Sequence, residues 1–441
     1  LKISRVFGRV RLYLGRIRWS RLLRRPTLHN QVERNIWYLY VEVFWAAILS
    51  ASASFNAAFA VRLGASNQMI GWLSSIPSLI AVLLLIPAAR FLETKSRRAP
   101  WLWSSLFLAR LGYLVLALLP WVLKSYQTQA VVWLLIAISV PTTFFSAGFN
   151  PLLADVIPER DRARVFANRS IIVSATVAVL TFAAGRWLEA SSALPWAAFP
   201  ANYQVMYLVG FVGAAASSLS LLRIKVPESK VVDRPHRTKV GRPSVAAIKT
   251  MLAENRDFVR ITLNTLLFNL GAWLVGPLYI LFFVRELGAS DGWIGLNNTL
   301  ANLGVIAGYA LWRRLLRKWG YGRTLLVSVP LAASYAFLVA LFPHLSLILV
   351  WGVLINLINP GVNLSHFNML LKMTPDDRRA SYMATYSSIM NVGAFVGPAI
   401  GVALAEWWGI RTVLVVGGVI RLLGAGLFHL FRVRVQETEI V

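Results

Sequence analysis

The sequence predicts an all-α membrane protein of twelve transmembrane helices arranged as two six-helix repeats, and three observations carry that prediction. The chain of 441 residues is 57% hydrophobic and only 14% charged, with a mean hydropathy of +0.61, whereas water-soluble domains carry about a quarter charged residues. Twelve apolar runs follow one another along it, each close to the roughly 20 residues a helix needs to cross the hydrocarbon core. Short motifs from the first six runs return at corresponding places in the last six, the mark of an internal duplication.

The elements follow in chain order. Residues 1–34 form a basic segment in which Ile3, Val6, Phe7, Val10, Leu14 and Ile17 share one helical face and Arg5, Arg9 and Arg16 lie opposite, as expected of an amphipathic helix resting on an anionic leaflet. A first bundle, 35–225, holds spans 1 to 6 at about 36–61, 69–89, 101–121, 130–153, 170–188 and 203–222. Residues 226–257, with Pro227, Pro235, Pro243 and dense charge, read as a cytoplasmic linker. A second bundle, 258–434, holds spans 7 to 12 at about 259–284, 293–312, 324–343, 346–370, 382–405 and 412–431, and 435–441 form a short tail. These lengths suit helices; barrel strands have about ten residues of alternating polarity.

Charge orients the chain. With both termini in the cytoplasm, 38 of the 45 Lys and Arg fall on the cytoplasmic side, and the other side receives Arg62, Lys124, Arg186, Arg285 and Arg411. That asymmetry follows the positive-inside rule, so we expect a multi-pass protein of a bacterial plasma membrane, the cell inner membrane, with both ends cytoplasmic. The net charge of +27 would suit nucleic acid only on a soluble basic face. Here the charges sit between apolar runs, and no nucleic-acid partner is expected.

Composition also limits the chemistry. The absence of cysteine removes disulfides, thiolate metal sites and cysteine nucleophiles. The five histidines are dispersed, with no His-x-x-x-His or Glu-x-x-His pair. No Gly-x-x-x-x-Gly-Lys-Ser/Thr occurs, so ATP is not the energy source within this chain. We therefore expect no enzyme, no metal and no cofactor.

The duplication rests on three matches. Leu63-Gly64-Ala65-Ser66 with Ile70-Gly71, entering span 2, recurs as Leu287-Gly288-Ala289-Ser290 with Ile294-Gly295, entering span 8. Phe149-Asn150-x-Leu152-Leu153 and then Pro158-x-x-x-Arg162-Ala163, after span 4, recur as Phe367-Asn368-x-Leu370-Leu371 and Pro375-x-x-x-Arg379-Ala380, after span 10. Arg223-Ile224-Lys225-Val226 echoes Arg432-Val433-Arg434-Val435.

Two parallel six-helix repeats joined by a cytoplasmic linker resemble the major facilitator superfamily, whose halves are related by an axis along the membrane normal. The resemblance spans about 35–435. The family's signature after span 2 is a glycine, an aspartate four residues on and Arg-x-Gly-Arg-Arg. It is matched loosely by Ala89-x-x-x-Glu93-Thr94-x-Ser96-Arg97-Arg98, and after span 8 by Arg317-Lys318-Trp319-Gly320-Tyr321-Gly322-Arg323, which has no acid. The resemblance implies that Glu93, Arg97, Arg98 and Arg323 belong to a cytoplasmic gate with Asp155 as an ion-pair partner; the alternative is a solvated charge cluster. Many drug/proton antiporters of the superfamily carry an arginine in span 4 and Gly-Pro in span 5, and both are missing here. Span 11 contains Gly393-x-x-x-Gly397-Pro398-x-x-Gly401, which reads as a packing and hinge motif.

The resemblance also implies that spans 1, 4, 7 and 10 line a central cavity, and polar residues within spans should face a partner or water. On span 10, Asn356, Asn359, Asn363 and His366 share a face, interrupted by Pro360-Gly361. On span 4, Ser139, Thr142, Thr143, Ser146 and Asn150 share one, and on span 1 so do Tyr38, Glu42, Ser52 and Asn56. Trp273 would add an aromatic wall on span 7, and Asn298 and Asn302 border either the cavity or the seam between halves. The alternative for such groups, above all the serines, is interhelical hydrogen bonding. Glu42 reads as the one carboxylate inside a span, a candidate proton carrier or else one half of an ion pair. Arg110 and Arg421 are deep bases read as structural; one acid cannot pair both fully, so one bonds backbone carbonyls or an anionic ligand supplies charge.

The expected function is secondary active transport of a small organic solute by alternating access, proton-coupled as symport or antiport, by a monomer in the lipid bilayer. The alternative is a non-transporting membrane factor that binds a lipid or pigment and delivers it to an assembly partner. A polar cavity closed at one end favours the first and an apolar groove open to lipid the second.

Overall fold

The structure, a computed structural model, describes residues 30–225, 255–375 and 378–430. The basic N-terminal helix, nearly all of the linker and the tail expected from the sequence lie outside the described residues. Span 1 is Gln31–Ala53 continued by the short Asn56–Arg62. Spans 2 to 6 are Asn67–Glu93, Ala99–Val122, Gln127–Val156, Glu159–Ser191 and Ala201–Leu222. Span 7 is Arg256–Leu281, ending in a π turn, Phe282–Glu286. Spans 10, 11 and 12 are Leu345–Met373, Arg379–Trp408 and Ile410–Leu430.

Among the described residues eleven helices are long and apolar enough to cross a membrane, and one of them, Asp291–Leu341, holds two spans. Its backbone leaves the helix at Gly320, with φ 70° and ψ 175°, a conformation that glycine reaches without the Cβ penalty other residues meet. Spans 8 and 9 lie on either side, and the count is twelve. Span 5 starts at Glu159 rather than near 170, because the charged stretch before its apolar run contains no proline or glycine and continues the same helix.

The sequence repeat is a structural device. Gly64 and Gly288 both have positive φ, 86° and 65°, and end spans 1 and 7 with the left-handed residue typical of a helix C-cap. Two residues later Ser66 and Ser290 accept from the amides of Met69 and Trp293, at 3.2 and 3.1 Å, and start spans 2 and 8 as N-caps. The glycine that closes each motif then meets the opposite half. A Cβ on Gly71 would lie 3.0 Å from Val402 of span 11, and one on Gly295 would lie 2.8 Å from the Cα of Gly185 on span 5. Each copy of the motif therefore builds one of two related seams, spans 2 and 11 and spans 5 and 8.

Within the first half span 1 packs on spans 5 and 6, span 3 on spans 4 and 6, and span 2 on span 4; within the second, span 7 packs on spans 11 and 12, span 9 on span 12, and span 8 on span 10. The cores differ between the two ends of the molecule. At the end poor in Lys and Arg, Ala60, Val61 and Ile70 of the first half share one buried cluster with Leu274, Leu278, Val402 and Val413 of the second, and Ile294 joins the cluster of Phe59 and Tyr203. At the basic end each half has its own core, around Leu39, Leu102 and Leu153 in one and Phe258, Val329 and Tyr382 in the other.

Candidate functional site

At the end where the cores fuse, charged groups reinforce the apolar seam. Arg62, at the end of span 1, pairs through Nε with Asp291 Oδ1 of span 8 at 2.8 Å and donates through Nη2 to the Ala289 carbonyl at 2.9 Å. The Tyr203 hydroxyl of span 6 donates to the same Asp291 oxygen at 2.6 Å. Arg285 reaches back to Asn67 Oδ1 at 2.5 Å and to the Ala65 carbonyl. The Ser290 hydroxyl donates to Glu189 at 3.2 Å. Deeper, Thr181 and Thr299 hydroxyls meet at 3.1 Å, and Thr299 also donates to the Ala178 carbonyl. The sequence reading treated Arg62 and Arg285 as topogenic charges. The signal that finds them is the repeated turn, which sets Arg62 and Asp291 on facing corners of the two halves.

Towards the basic end the polar residues of spans 4 and 10 are left accessible. Thr142 and Ser146 are exposed, their hydroxyls bonded only to carbonyls of their own helix, Ile138 at 2.8 Å and Thr142 at 2.9 Å. Thr143 is half-buried beside them; the side chain of Asn150 lies outside the described residues. On span 10, Asn363 is exposed and Asn359 half-buried, and neither has a hydrogen-bond partner among the described residues. Asn356 donates to its own Gly352 carbonyl at 2.9 Å and edges the seam with span 8 opposite Gly304. Asn302 donates to the Asn298 carbonyl on span 8, at 2.8 Å, with both side chains half-buried.

His366 has partners. The hydroxyl of Thr265 on span 7 lies 2.6 Å from the Ile261 carbonyl and 2.7 Å from His366 Nε2, a hydrogen bond whose direction follows the tautomer of the imidazole. The His366 ring also faces Tyr386 of span 11, centroids 5.8 Å apart. Three spans of the second half thus meet at one imidazole, and neither Thr265 nor Tyr386 stands out in the sequence.

Other polar residues serve seams within a half. Ser52 donates to the Met206 carbonyl of span 6 at 3.2 Å. Asn56 donates to the Tyr113 hydroxyl at 3.2 Å and accepts from Tyr207 at 3.0 Å, which ties spans 1, 3 and 6. Tyr38 is half-buried under the Arg223 guanidinium, 5.9 Å from its ring. Trp273 fills the groove left by span 11's glycines: a Cβ on Gly393 would lie 2.5 Å from its ring and one on Gly397 2.8 Å from its Cβ.

The deep charges divide between the halves. Glu42 Oε2 pairs with Arg169 of span 5 at 2.9 Å. Its Oε1 lies 3.9 Å from Arg110 of span 3 and accepts from the Ser217 hydroxyl of span 6 at 3.1 Å. Arg110 is held further by Ser217, at 2.7 Å, and by Ser218, and Arg169 donates to the Leu39 carbonyl at 2.6 Å. One acid therefore joins spans 1, 3, 5 and 6. In the second half Arg421 lies 4.5 Å from the centre of the Phe268 ring. At the basic end Glu93, Arg97, Asp155 and Arg323 are exposed and Arg98 is half-buried; among the described residues no ion pair joins Glu93, Arg98 and Asp155 to one another.

No curated protein matches the sequence. Among solved structures, a bacterial homologue of the iron transporter ferroportin in an inward-facing state superposes with a TM-score of 0.69 at 15% identity, covering 92% of this chain and 100% of that one. A point mutant of the nucleoside transporter NupG gives 0.67 at 14%, covering 90% and 99%. A bacterial homologue of the human lysosomal transporter Spinster, inward-facing and unoccupied, gives 0.61 at 14%, covering 92% and 97%. At such identities the likeness is one of fold. The family model described as Major Facilitator Superfamily matches residues 19–259 and again 261–440, one match per half. Twelve spans, a duplicated six-span unit and a family match over nearly the whole length agree: this chain is a membrane transport protein of the major facilitator superfamily.

Proposed function

We propose that the protein is a secondary active transporter that moves a small organic solute by alternating access, with the present arrangement open at its basic, cytoplasmic end. The carrying observation is the asymmetry of the cores: the halves share buried clusters where Arg62 meets Asp291 and have separate ones at the basic end. Between those separate cores, Thr142 and Ser146 on span 4 and Asn359 and Asn363 on span 10 offer hydroxyl and amide groups that no other helix satisfies, as a solute site requires. Glu93, Arg97, Arg98, Asp155 and Arg323 would come together as the gate on that side when the halves rock closed. Proton coupling is assigned to Glu42, through exchange of its arginine partners.

The natural absence of cysteine makes the test direct. Single Ser146→Cys and Asn363→Cys variants should react with a membrane-impermeant maleimide applied to the basic face of inverted vesicles. Added solute should slow the reaction. Cysteines at both positions that stay unlabelled from either face would overturn the reading.

A further inference from the structure

Arg421 has no ion-pair partner among the described residues. On span 12 it shares the face of the buried Val413, Leu414, Gly417, Gly418, Gly424, Ala425 and Phe428, its own side chain half-buried. At about 1.5 Å per residue it is roughly 15 Å from either end of its helix, near the middle of the bilayer, where an unpaired charge is costly. Close packing against span 7 fixes it there: a Cβ on Gly271 would lie 2.8 Å from the Arg421 amide nitrogen, and one on Gly424 2.5 Å from that of Phe268.

Its surroundings lack an anionic acceptor among the described residues. Among the described residues no carboxylate pairs with Arg421, and its Nε is buried without a hydrogen-bond partner. The Phe268 face at 4.5 Å offers partial compensation. The hydroxyl of Tyr279, close enough for the two groups to interact electrostatically, is likewise buried with no partner. Tyr335 of span 9 stands beside it, ring centroids 5.2 Å apart. Guanidinium N–H groups only donate. The missing element is an anionic oxygen against an aromatic wall. In the first half the corresponding demand of Arg110 and Arg169 is met by Glu42.

We propose that Arg421 and Tyr279, where spans 7, 9 and 12 meet, hold the acidic group of an aromatic or similarly apolar organic anion. This deepens the transport reading and rests on it, since the anion is taken to be the solute. A phospholipid headgroup is a poor occupant because it resides about 15 Å away at the membrane boundary.

Thermal unfolding of the full-length protein in detergent tests the proposal. Benzoate, benzenesulfonate and phenyl phosphate are each compared with a neutral counterpart: benzamide, benzenesulfonamide and phenol. At least one anion should raise the unfolding midpoint by about 2 °C or more, its neutral counterpart should not, and Arg421→Met should abolish the shift. The ligand-free Arg421→Met protein should unfold at the same or a higher temperature than wild type, because removal of a cation that no carboxylate balances strips no group of an ion-pair partner. A purely structural arginine predicts a lower temperature. No response to any anion, equal response to its neutral counterpart, or a clearly destabilised Arg421→Met would each overturn the site. Tyr279→Phe, which keeps the ring, should weaken the shift and guards against a variant that fails to fold. Flux of the stabilising anion into proteoliposomes is scored separately: binding without flux would sink the transport reading and leave the site standing.

Discussion

Glu42 shows what a residue's chemistry reveals in sequence and what it does not. An acid among apolar neighbours is conspicuous, and an ion pair was one of its two expected fates. Arg169 was hidden by one residue of helix boundary: counted in a loop, it lies three turns inside a helix that begins at Glu159. With Glu42 changed to Gln, Arg169 and Arg110 would keep neutral partners, the serine hydroxyls, the Leu39 carbonyl and the new amide oxygen, and lose their anion. Breaking such a buried pair costs about 3–5 kcal/mol, so Glu42→Gln should lower the unfolding temperature markedly, and a variant as stable as wild type would show that the pairs contribute nothing. Its flux separates the two roles. Solute exchange without a gradient should persist while uptake driven by a pH gradient is lost, and gradient-driven uptake at the wild-type rate removes Glu42 from the coupling step.

At the level of single helices, the faces of the spans were legible and their neighbours were not. Periodicity places Trp273, Asn356 and Ser52 on particular sides of spans 7, 10 and 1. It cannot say that Trp273 meets the glycines of span 11, that Asn356 borders span 8 or that Ser52 bonds span 6, because neighbours depend on how helices cross. The glycine motif of span 11 was more informative, since small residues four apart admit another backbone closely. A Cβ on Gly401 would overlap the Leu274 carbonyl oxygen, and that backbone cannot yield as a side-chain tip does. Gly401→Val should therefore destabilise by at least the 1–3 kcal/mol or so usual for overpacking. Gly426→Ala on span 12, where nothing lies within 4 Å of the new Cβ, should leave stability unchanged or slightly higher. Unfolding temperatures of the two variants check the contrast.

For the molecule as a whole, duplication supplied most of the fold from sequence, because the repeated Leu-Gly-Ala-Ser turn encodes a C-cap, an N-cap and the glycine that touches the other half. The conformational state was not legible: the same repeat must serve a molecule open at either end, and only distances between halves distinguish the two. Those distances give a lever on the cycle. Thr181 of span 5 and Thr299 of span 8 place their hydroxyl oxygens 3.1 Å apart across the seam, so cysteines there would point their sulfurs at each other, and no native thiol competes. Oxidised Thr181→Cys/Thr299→Cys protein should keep solute binding from the basic face and lose transport, because the seam can no longer part. A reductant should restore it. Arg62→Gln should act in the opposite sense, weakening the same closed end without locking it, and should raise labelling of a cysteine placed at Thr299 from the face away from the basic loops. Were the cross-linked protein to transport as fast as the reduced one, the two halves would not separate at this seam, and the opening would have to be sought elsewhere in the fold.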